Sequence, residues 1–485
     1  MARLNKREMF RYLDENKDVM IDVSDKIWDY AETAFEEFRS ADLLKGVMLD
    51  YGFNVESGTG GIDTAFCAEF GSGAPVIGIL AEYDALSGMS QAAGSTERRE
   101  TAAGGNGHGC GHNLFAGASV GAAIAVKKRM ENGGLQGTLK LFGCPGEEGG
   151  SGKAFMARAG VFDGLDAAFA WHPMSVNAVL DMSMLANYQI LYKFKGVASH
   201  AAAAPDKGRS ALDASELMNV GVNFLREHVI QEARIHYAIT NSGGFSPNVV
   251  QPYAEVLYLI RAPRTSQVEE IYQRVNKVAR GAAMMTETEL EIQFVKACAN
   301  VVPNKTLSKV LYDNLKELDM PVYTQEELAF AEEMAKTSPG SSSSDIGRYL
   351  NAHPDDMKRC VNALKDKPMC DIALPFYFED PDRMLSGSSD VGDVSWIAPT
   401  GQVVTACYAL GTPEHSWQLV SQAGSSIGHK GMILAAKVMA GGIADVMESQ
   451  EIIKRAKAEL TERLDGETYR SAIPPGVTPV AISKL

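Results

Sequence analysis

The chain has 485 residues, long for a single domain, and its 45% hydrophobic and 22% charged residues describe an ordinary globular protein with a large core. Lys+Arg at 46 against Asp+Glu at 61 leave a net charge of −15, which disfavours a general nucleic-acid or anionic-membrane surface but not a small anionic substrate met by one or two local cations. Met1 to Tyr30 contain no secretory apolar core, no run approaches the roughly 18 apolar residues of a membrane span, and seven cysteines without framework spacing fit a reducing compartment, so a cytoplasmic location is expected.

Residues 4–36 carry Met9, Phe10, Leu13, Met20, Ile21, Ile27 and Trp28 near helical spacing and are expected to be helical. A second helix is expected over about 40–51, stopping at Gly52. The period then changes. Short apolar runs at 66–70, 76–81, 138–143 and 167–170 alternate with helical runs at 114–131 and 152–160, which implies a mainly parallel sheet covered on both faces. From about Leu185 the order becomes strand 188–194, helix 209–229, strands 233–240 and 254–261, helix 266–285 and strand 290–295. That is the β-α-β-β-α-β unit of a ferredoxin-like α+β domain. The expected organisation is an α/β domain made of 1–184 and 298–485, interrupted by an insertion at 185–297. Residues 326–386, with Ser341 to Ser344 and a Pro/Asp-rich stretch, show no clear period and read as an irregular, partly mobile excursion.

The segments just past the strands are chemically distinctive. The run 76–81 leads into Glu82-Tyr83-Asp84, 139–143 into Cys144-Pro145-Gly146-Glu147-Glu148-Gly149-Gly150, 167–171 into His172-Pro173, and 403–410 into Gly411-Thr412-Pro413-Glu414-His415. Open α/β sheets place their sites at this carboxyl edge. The loop Asn106-Gly107-His108-Gly109-Cys110-Gly111-His112-Asn113 adds two histidines and a thiol, spaced by glycines that permit close backbone approach to a ligand. Taken alone, the loop reads equally as an inert thiol beside a satisfied histidine. With the strand ends, it reads as a metal site.

The candidate ligands are Cys110, His112, Glu148, His172 and His415. Five exceed the three protein ligands of a typical catalytic zinc and suit two ions sharing a bridging group. Adjacent carboxylates rarely share one role, because like charges raise one pKa. Glu148 is therefore assigned to a cation and Glu147 to proton transfer. His108 is a candidate support behind the ligands, and His429 is the rival to His415, which lies nearer a strand end. His228, His236 and His353 read as structural or surface groups, and Cys67, Cys298, Cys360, Cys370 and Cys407 as small buried hydrophobes. In the insertion, His200 is either a core histidine or a donor to a developing oxyanion. Arg261 is either a rim charge or a bidentate partner for a carboxylate. Asn248, in a turn after Pro247, stays equally open.

Cys110-Gly111-His112-Asn113, Gly146-Glu147-Glu148-Gly149-Gly150, Trp171-His172-Pro173 and Ser199-His200-Ala201 together resemble the dimetal M20 amidohydrolases and peptidases, in the branch that uses Cys-Gly-His. The likeness extends over nearly the whole chain and is weakest at 326–386. It implies a catalytic domain carrying two divalent ions, Zn2+ or Mn2+, and an inserted lid that also mediates dimerisation. It further implies Cys110 as the bridge, Glu147 as general base, His200 and Asn248 as lid residues reaching a site (in many members the partner's), and Arg261 on the substrate carboxylate. Many members carry His-x-Asp where this chain has Glu82-Tyr83-Asp84, which leaves Asp84 to orient a ligand and Glu82 without an assigned role. The implied activity is hydrolysis of an N-acyl amino acid, p-aminobenzoyl-glutamate or a close folate fragment foremost. An aminoacylase or dipeptidase is the alternative. The implied assembly is a homodimer or a heteromer with a related A subunit, on which activity could depend.

Overall fold

In the computed structural model, residues 5–338, 346–347, 354–376, 383–481 and 484 are described. In chain order the strands are β1 (Asn54–Ser57), β2 (Phe66–Ser72), β3 (Val76–Ala81), β4 (Gly137–Gly143), β5 (Ala167–Met174), β6 (Ala178–Val179), β7 (Ser183–Met184), β8 (Ala186–Lys195), β9 (Arg234–Asn241), β10 (Tyr253–Ala262), β11 (Glu289–Cys298), β12 (Met384–Leu385) and β13 (Thr400–Ala406). Seven of them form a sheet in the order β1-β2-β4-β3-β5-β13-β6. The pairings β4–β3, β3–β5 and β5–β13 are parallel, while those toward both margins are antiparallel. The expected mainly parallel sheet is therefore present, and β3, β5 and β13 are buried almost end to end, as strands covered on both faces must be.

Helix His112–Glu131 connects β3 to β4 on one side, and helix Gly152–Arg158 lies on the path from β4 to β5 on the other. The strand order thus reverses at β3, and the carboxyl ends of β3, β4 and β5 surround the crevice this reversal opens. Helix His112–Glu131 is buried over most of its surface, against helices Lys17–Tyr30 and Ser426–Glu448 as well as the sheet. Its small residues permit that approach: a Cβ on Gly121 would stand 2.1 Å from Met20 Sδ.

The second sheet, ordered β11-β8-β10-β9, is antiparallel throughout, with helices Ala211–Leu225 and Thr265–Thr286 packed together on it. This is the ferredoxin-like arrangement expected for the insertion. Burial alternates strictly along β10: Val256, Tyr258, Ile260 and Ala262 are buried, whereas Leu259 and Arg261 on the opposite face are only partly so.

Two expectations need correction. The N-terminal helical stretch is two helices, Lys6–Glu15 and Lys17–Tyr30, meeting at Asn16, which caps the first. Residues 326–386 are not wholly irregular. Thr324 and Glu327 form a reciprocal cap that starts helix Gln325–Lys336, and another helix covers Pro354–Ala363. Their Ala331, Met334 and Cys360 join a separate apolar cluster with Met174, Leu180 and Leu410. Ser341 to Ser344 and His353 lie outside the described residues. No helix among the described residues is long and apolar enough to cross a membrane.

Candidate metal and active site

Gly111 has φ +77°, and a Cβ there would lie 2.8 Å from Pro173 Cγ, so the residue between Cys110 and His112 is glycine for both conformation and space. This turn opens helix His112–Glu131 and sets Cys110 Sγ 3.4 Å from His172 Nε2. The other His172 nitrogen, Nδ1, sits 2.9 Å from the Pro173 carbonyl oxygen and serves as donor, which leaves Nε2 facing the thiol. His112 is fixed in the same way: its Nδ1 lies 2.9 Å from Asp84 Oδ1, and Asp84 Oδ2 accepts from the Glu148 backbone N–H at 2.8 Å. One carboxylate just past β3 thus orients both an imidazole and the Glu147-Glu148 turn. Glu148 Oε1 is 3.4 Å from His415 Nε2 and 4.0 Å from His112 Nε2. His415 is a non-glycine residue in the left-handed region (φ +53°), and its N–H donates to the Gly109 carbonyl at 3.0 Å, tying it to the cysteine loop.

Two triplets of donor atoms result, Cys110/His112/His172 and Cys110/Glu148/His415, each with its atoms within 4.8 Å of one another, and both include Cys110. A third, Glu82/His112/Glu147, adjoins them. His112 Nε2 and Glu148 Oε1 are buried without a hydrogen bond, although carboxylate and imidazole atoms stand close by. Polar atoms are rarely buried in this way unless something else completes them. The charges agree. Burial and the neighbouring Glu82, Asp390 and Glu148 hold the Glu147 carboxyl well above its ordinary range. Burial lowers the His112 ring, but Asp84, Glu82 and Glu148 outweigh it and push it up to about 10. Burial and the His112 charge push His172 down to about 4. Glu147, His112, Cys110 and His415 are all shifted toward holding their protons around buried carboxylates, and a donor set of this kind suits divalent cations, for which thiolate, imidazole and carboxylate are suitable ligands.

Behind the donors lies a charge cluster that the sequence reading did not identify. Lys153 is fully buried, with Nζ 2.7 Å from Glu82 Oε1 and 2.6 Å from Asp390 Oδ1, and its backbone N–H donates to Asp390 Oδ2 at 2.9 Å. It ties together the end of β3, the helix after the Glu147-Glu148 turn and the segment before β13. Glu82 Oε2 is in turn 3.2 Å from His112 Nε2. Burial raises the Glu82 carboxyl, with Lys153 the main opposing influence.

The donors open on a cavity of about 370 Å³ whose lining includes Cys110, Glu147, Glu148, His172 and His415, together with Arg261 from the second sheet. Arg261 Nε is buried and makes no hydrogen bond. His200 is exposed, not a core histidine, and its Nδ1 accepts from the Ala202 and Ala203 N–H groups at 3.2 and 3.1 Å. Neither His200 nor the exposed Asn248 is among the residues lining the cavity within one chain. His108 is buried with Nε2 2.9 Å from the Ile27 carbonyl, and His429 pairs with Asp25 at 2.8 Å, away from the donors. His228 and His236 are exposed. Cys67, Cys298, Cys360, Cys370 and Cys407 are buried and free, although Cys298 also lines the cavity and accepts from Asn187 Nδ2 at 3.1 Å.

Fold and site together define a hydrolase class. The family described as Peptidase family M20/M25/M40 matches residues 78–478, and the chain belongs to it; it is an amidohydrolase. Among its relatives, the B subunit of p-aminobenzoyl-glutamate hydrolase from Escherichia coli (strain K12) is 48% identical over 479 residues, covering 98% of this chain and 99% of that protein. The Xaa-Arg dipeptidase of Mus musculus is 32% identical over 362 residues, 71% of this chain and 77% of that one. The crystal structure of an aminobenzoyl-glutamate utilization protein from Klebsiella pneumoniae shares the fold, with a TM-score of 0.58 at 17% identity over 91% of this chain and 98% of that one.

Proposed function

We propose that this chain hydrolyses the amide bond of an N-acyl amino acid, p-aminobenzoyl-glutamate foremost, to give p-aminobenzoate and glutamate. In this reading Cys110, His112, Glu148, His172 and His415 would hold two divalent ions, Zn2+ or Mn2+, Cys110 belonging to both donor triplets. The observation that carries it is the pair of donor triplets meeting at Cys110, beside Glu147 and open to a cavity with an unpartnered guanidinium nitrogen. The name of the 48% identical relative supports the choice of substrate.

Bound ions would polarise the substrate carbonyl and lower the pKa of the attacking water. Glu147, made proton-avid by burial and by its carboxylate neighbours, takes the water's proton and returns it to the leaving amine. Asp84 holds the His112 ring and the Glu148 backbone in place throughout. Arg261, with Asn248, holds the α-carboxylate. His200 donates to the developing oxyanion.

His200 and Asn248 lie off the cavity of their own chain, so in this reading they reach a site from a partner's lid. The unit 185–297 serves as lid and dimerisation domain on the body formed by 1–184 and 298–485. Its edge strand β9 exposes Tyr237 and Ile239, and helix Ala211–Leu225 exposes Leu217, Val220 and Phe224. A surface of this kind suits a second copy or a related A subunit. Seven free cysteines fit a cytoplasmic setting.

The test is Glu147→Gln. Both ions should remain by elemental analysis while turnover falls about 10²- to 10⁴-fold. Retained turnover overturns the mechanism.

A further inference from the structure

We infer that Lys296 is a specificity-determining residue, a second cation in the cavity that takes the side-chain carboxylate of a dicarboxylic amino acid; this rests on the amide-hydrolase reading of the adjoining site. Strand β11 pairs with β8, but the register slips between Phe294 and Lys296. Phe294 stands opposite Ile190, and Lys296, two residues on, stands opposite Gln189, the neighbour of Ile190. Val295 is the extra residue of a β-bulge. Because successive strand residues point to opposite faces, the bulge turns Lys296 to the face of Gln189 instead of the face of Phe294. In an unbroken register Lys296 would oppose Tyr188, whose ring packs against Tyr272 of helix Thr265–Thr286. The bulge aims this lysine at the cavity.

The other neighbour of β8 completes the arrangement. Strand β10 sets Leu259 opposite Gln189 and Arg261 opposite Asn187, so Arg261, Gln189 and Lys296 share one face, and all three line the cavity. Lys296 is only 7% exposed, Arg261 Nε is buried without a hydrogen bond, and among the described residues neither cation forms a salt bridge. A buried ammonium without a counter-ion is costly, and an anionic ligand removes that cost. Strands β10 and β11 flank β8, which puts their backbones roughly 10 Å apart, two strand spacings. Side chains leaning in from either side can grip both carboxylates of one short dicarboxylate. With the α-carboxylate on Arg261, the side-chain carboxylate falls to Lys296. A neutral side chain leaves Lys296 unpaired, and a cationic one repels it.

The test is calorimetric titration of the metal-loaded full-length chain with L-glutamate and with L-glutamine, for wild type, Lys296→Met and Lys296→Arg. Wild type should bind glutamate about 10- to 100-fold more tightly than glutamine, the value of a hydrogen bond to a charged group. Lys296→Met should bring that ratio close to one with glutamine affinity unchanged, and Lys296→Arg should keep most of it. The inference is overturned if Lys296→Met keeps the wild-type ratio, if it weakens both ligands equally, or if wild type binds no glutamate. Hydrolysis of p-aminobenzoyl-glutamate and p-aminobenzoyl-glutamine by the same wild-type protein separately tests the amide-hydrolase reading. A chain that cleaves neither, alone or with a partner subunit, refutes that reading, while the binding ratio still decides the role of Lys296.

Discussion

Replacing Lys153 with methionine removes the one cation from a buried cluster of three charges. Its Nζ makes contacts of 2.7 Å to Glu82 and 2.6 Å to Asp390, all three side chains being buried. Removing one partner of a buried pair leaves charge uncompensated and costs about 3–5 kcal/mol. Here Asp390 loses its cation and Glu82 keeps only the His112 ring at 3.2 Å, so a cost within that range is expected at pH 8. The cost should depend on pH in a definite direction. Burial already raises the Glu82 carboxyl, and Lys153 opposes that rise. Without Lys153 the folded-state pKa climbs further above the unfolded value. A group of this kind favours the folded state when protonated and costs stability as pH rises through its folded pKa. The deficit of Lys153→Met should therefore shrink as pH falls from 8 toward 5.5. Denaturant unfolding of metal-saturated protein at several pH values measures this. Adding Glu82→Gln to the variant should recover part of the loss at pH 8. A deficit under about 1 kcal/mol at pH 8, a deficit flat with pH, or no recovery from Glu82→Gln would refute the reasoning.

Two further outcomes are expected from the same geometry. Asp84→Asn leaves one acceptor oxygen for two donors and sets an NH2 group against either the His112 Nδ1–H or the Glu148 N–H, so metal affinity should fall about 10- to 100-fold with the fold intact; competition against a chromogenic chelator measures it, and unchanged affinity contradicts the assignment. Metal binding must displace the proton that Asp84, Glu82 and Glu148 hold on His112 up to about pH 10, whereas His172, at about 4, has none to give. The Cys110 thiol, pushed well up by burial and by Glu148, and His415, raised by its hydrogen bond to Glu148, must give up protons as well. Affinity should thus rise by at least about tenfold per pH unit between pH 6 and 9, with proton release visible by calorimetry in buffers of different ionisation enthalpy, and a flat profile contradicts it.

Most of the fold could be read from hydrophobic period alone, because β3, β4, β5 and the strands of the insertion are apolar runs cut by glycine and polar turns. The donors could be read because Glu148 follows β4, His172 sits near the carboxyl end of β5 and His415 lies beyond β13, so the edge of an open sheet gathers them with the Cys110–His112 loop. Lys153 and Asp390 could not. They are 237 positions apart, and a buried charge has no mark in sequence that separates it from a surface one. The bulge at Val295 does leave a mark: Leu290, Ile292 and Phe294 alternate with Glu291 and Gln293, and Val295-Lys296 breaks that alternation, but the strand expected over 290–295 stops short of Lys296. Helix Gln325–Lys336 could have been found: Thr324 and Glu327 have the spacing of a reciprocal cap. Its few apolar residues pack on a small separate cluster, which weakens the periodic signal. His200 and Asn248 carry no sequence mark of how far they stand from the cavity of their own chain.

The central claim is that two ions meet at Cys110. Elemental analysis of protein purified without added metal, followed by titration of metal-depleted protein, tests it most directly. The expected result is two divalent ions per chain at saturation and the weakening of both together in Cys110→Ala, since that thiol belongs to both donor triplets. Saturation at one ion per chain, or two ions held with undiminished affinity by Cys110→Ala, contradicts it.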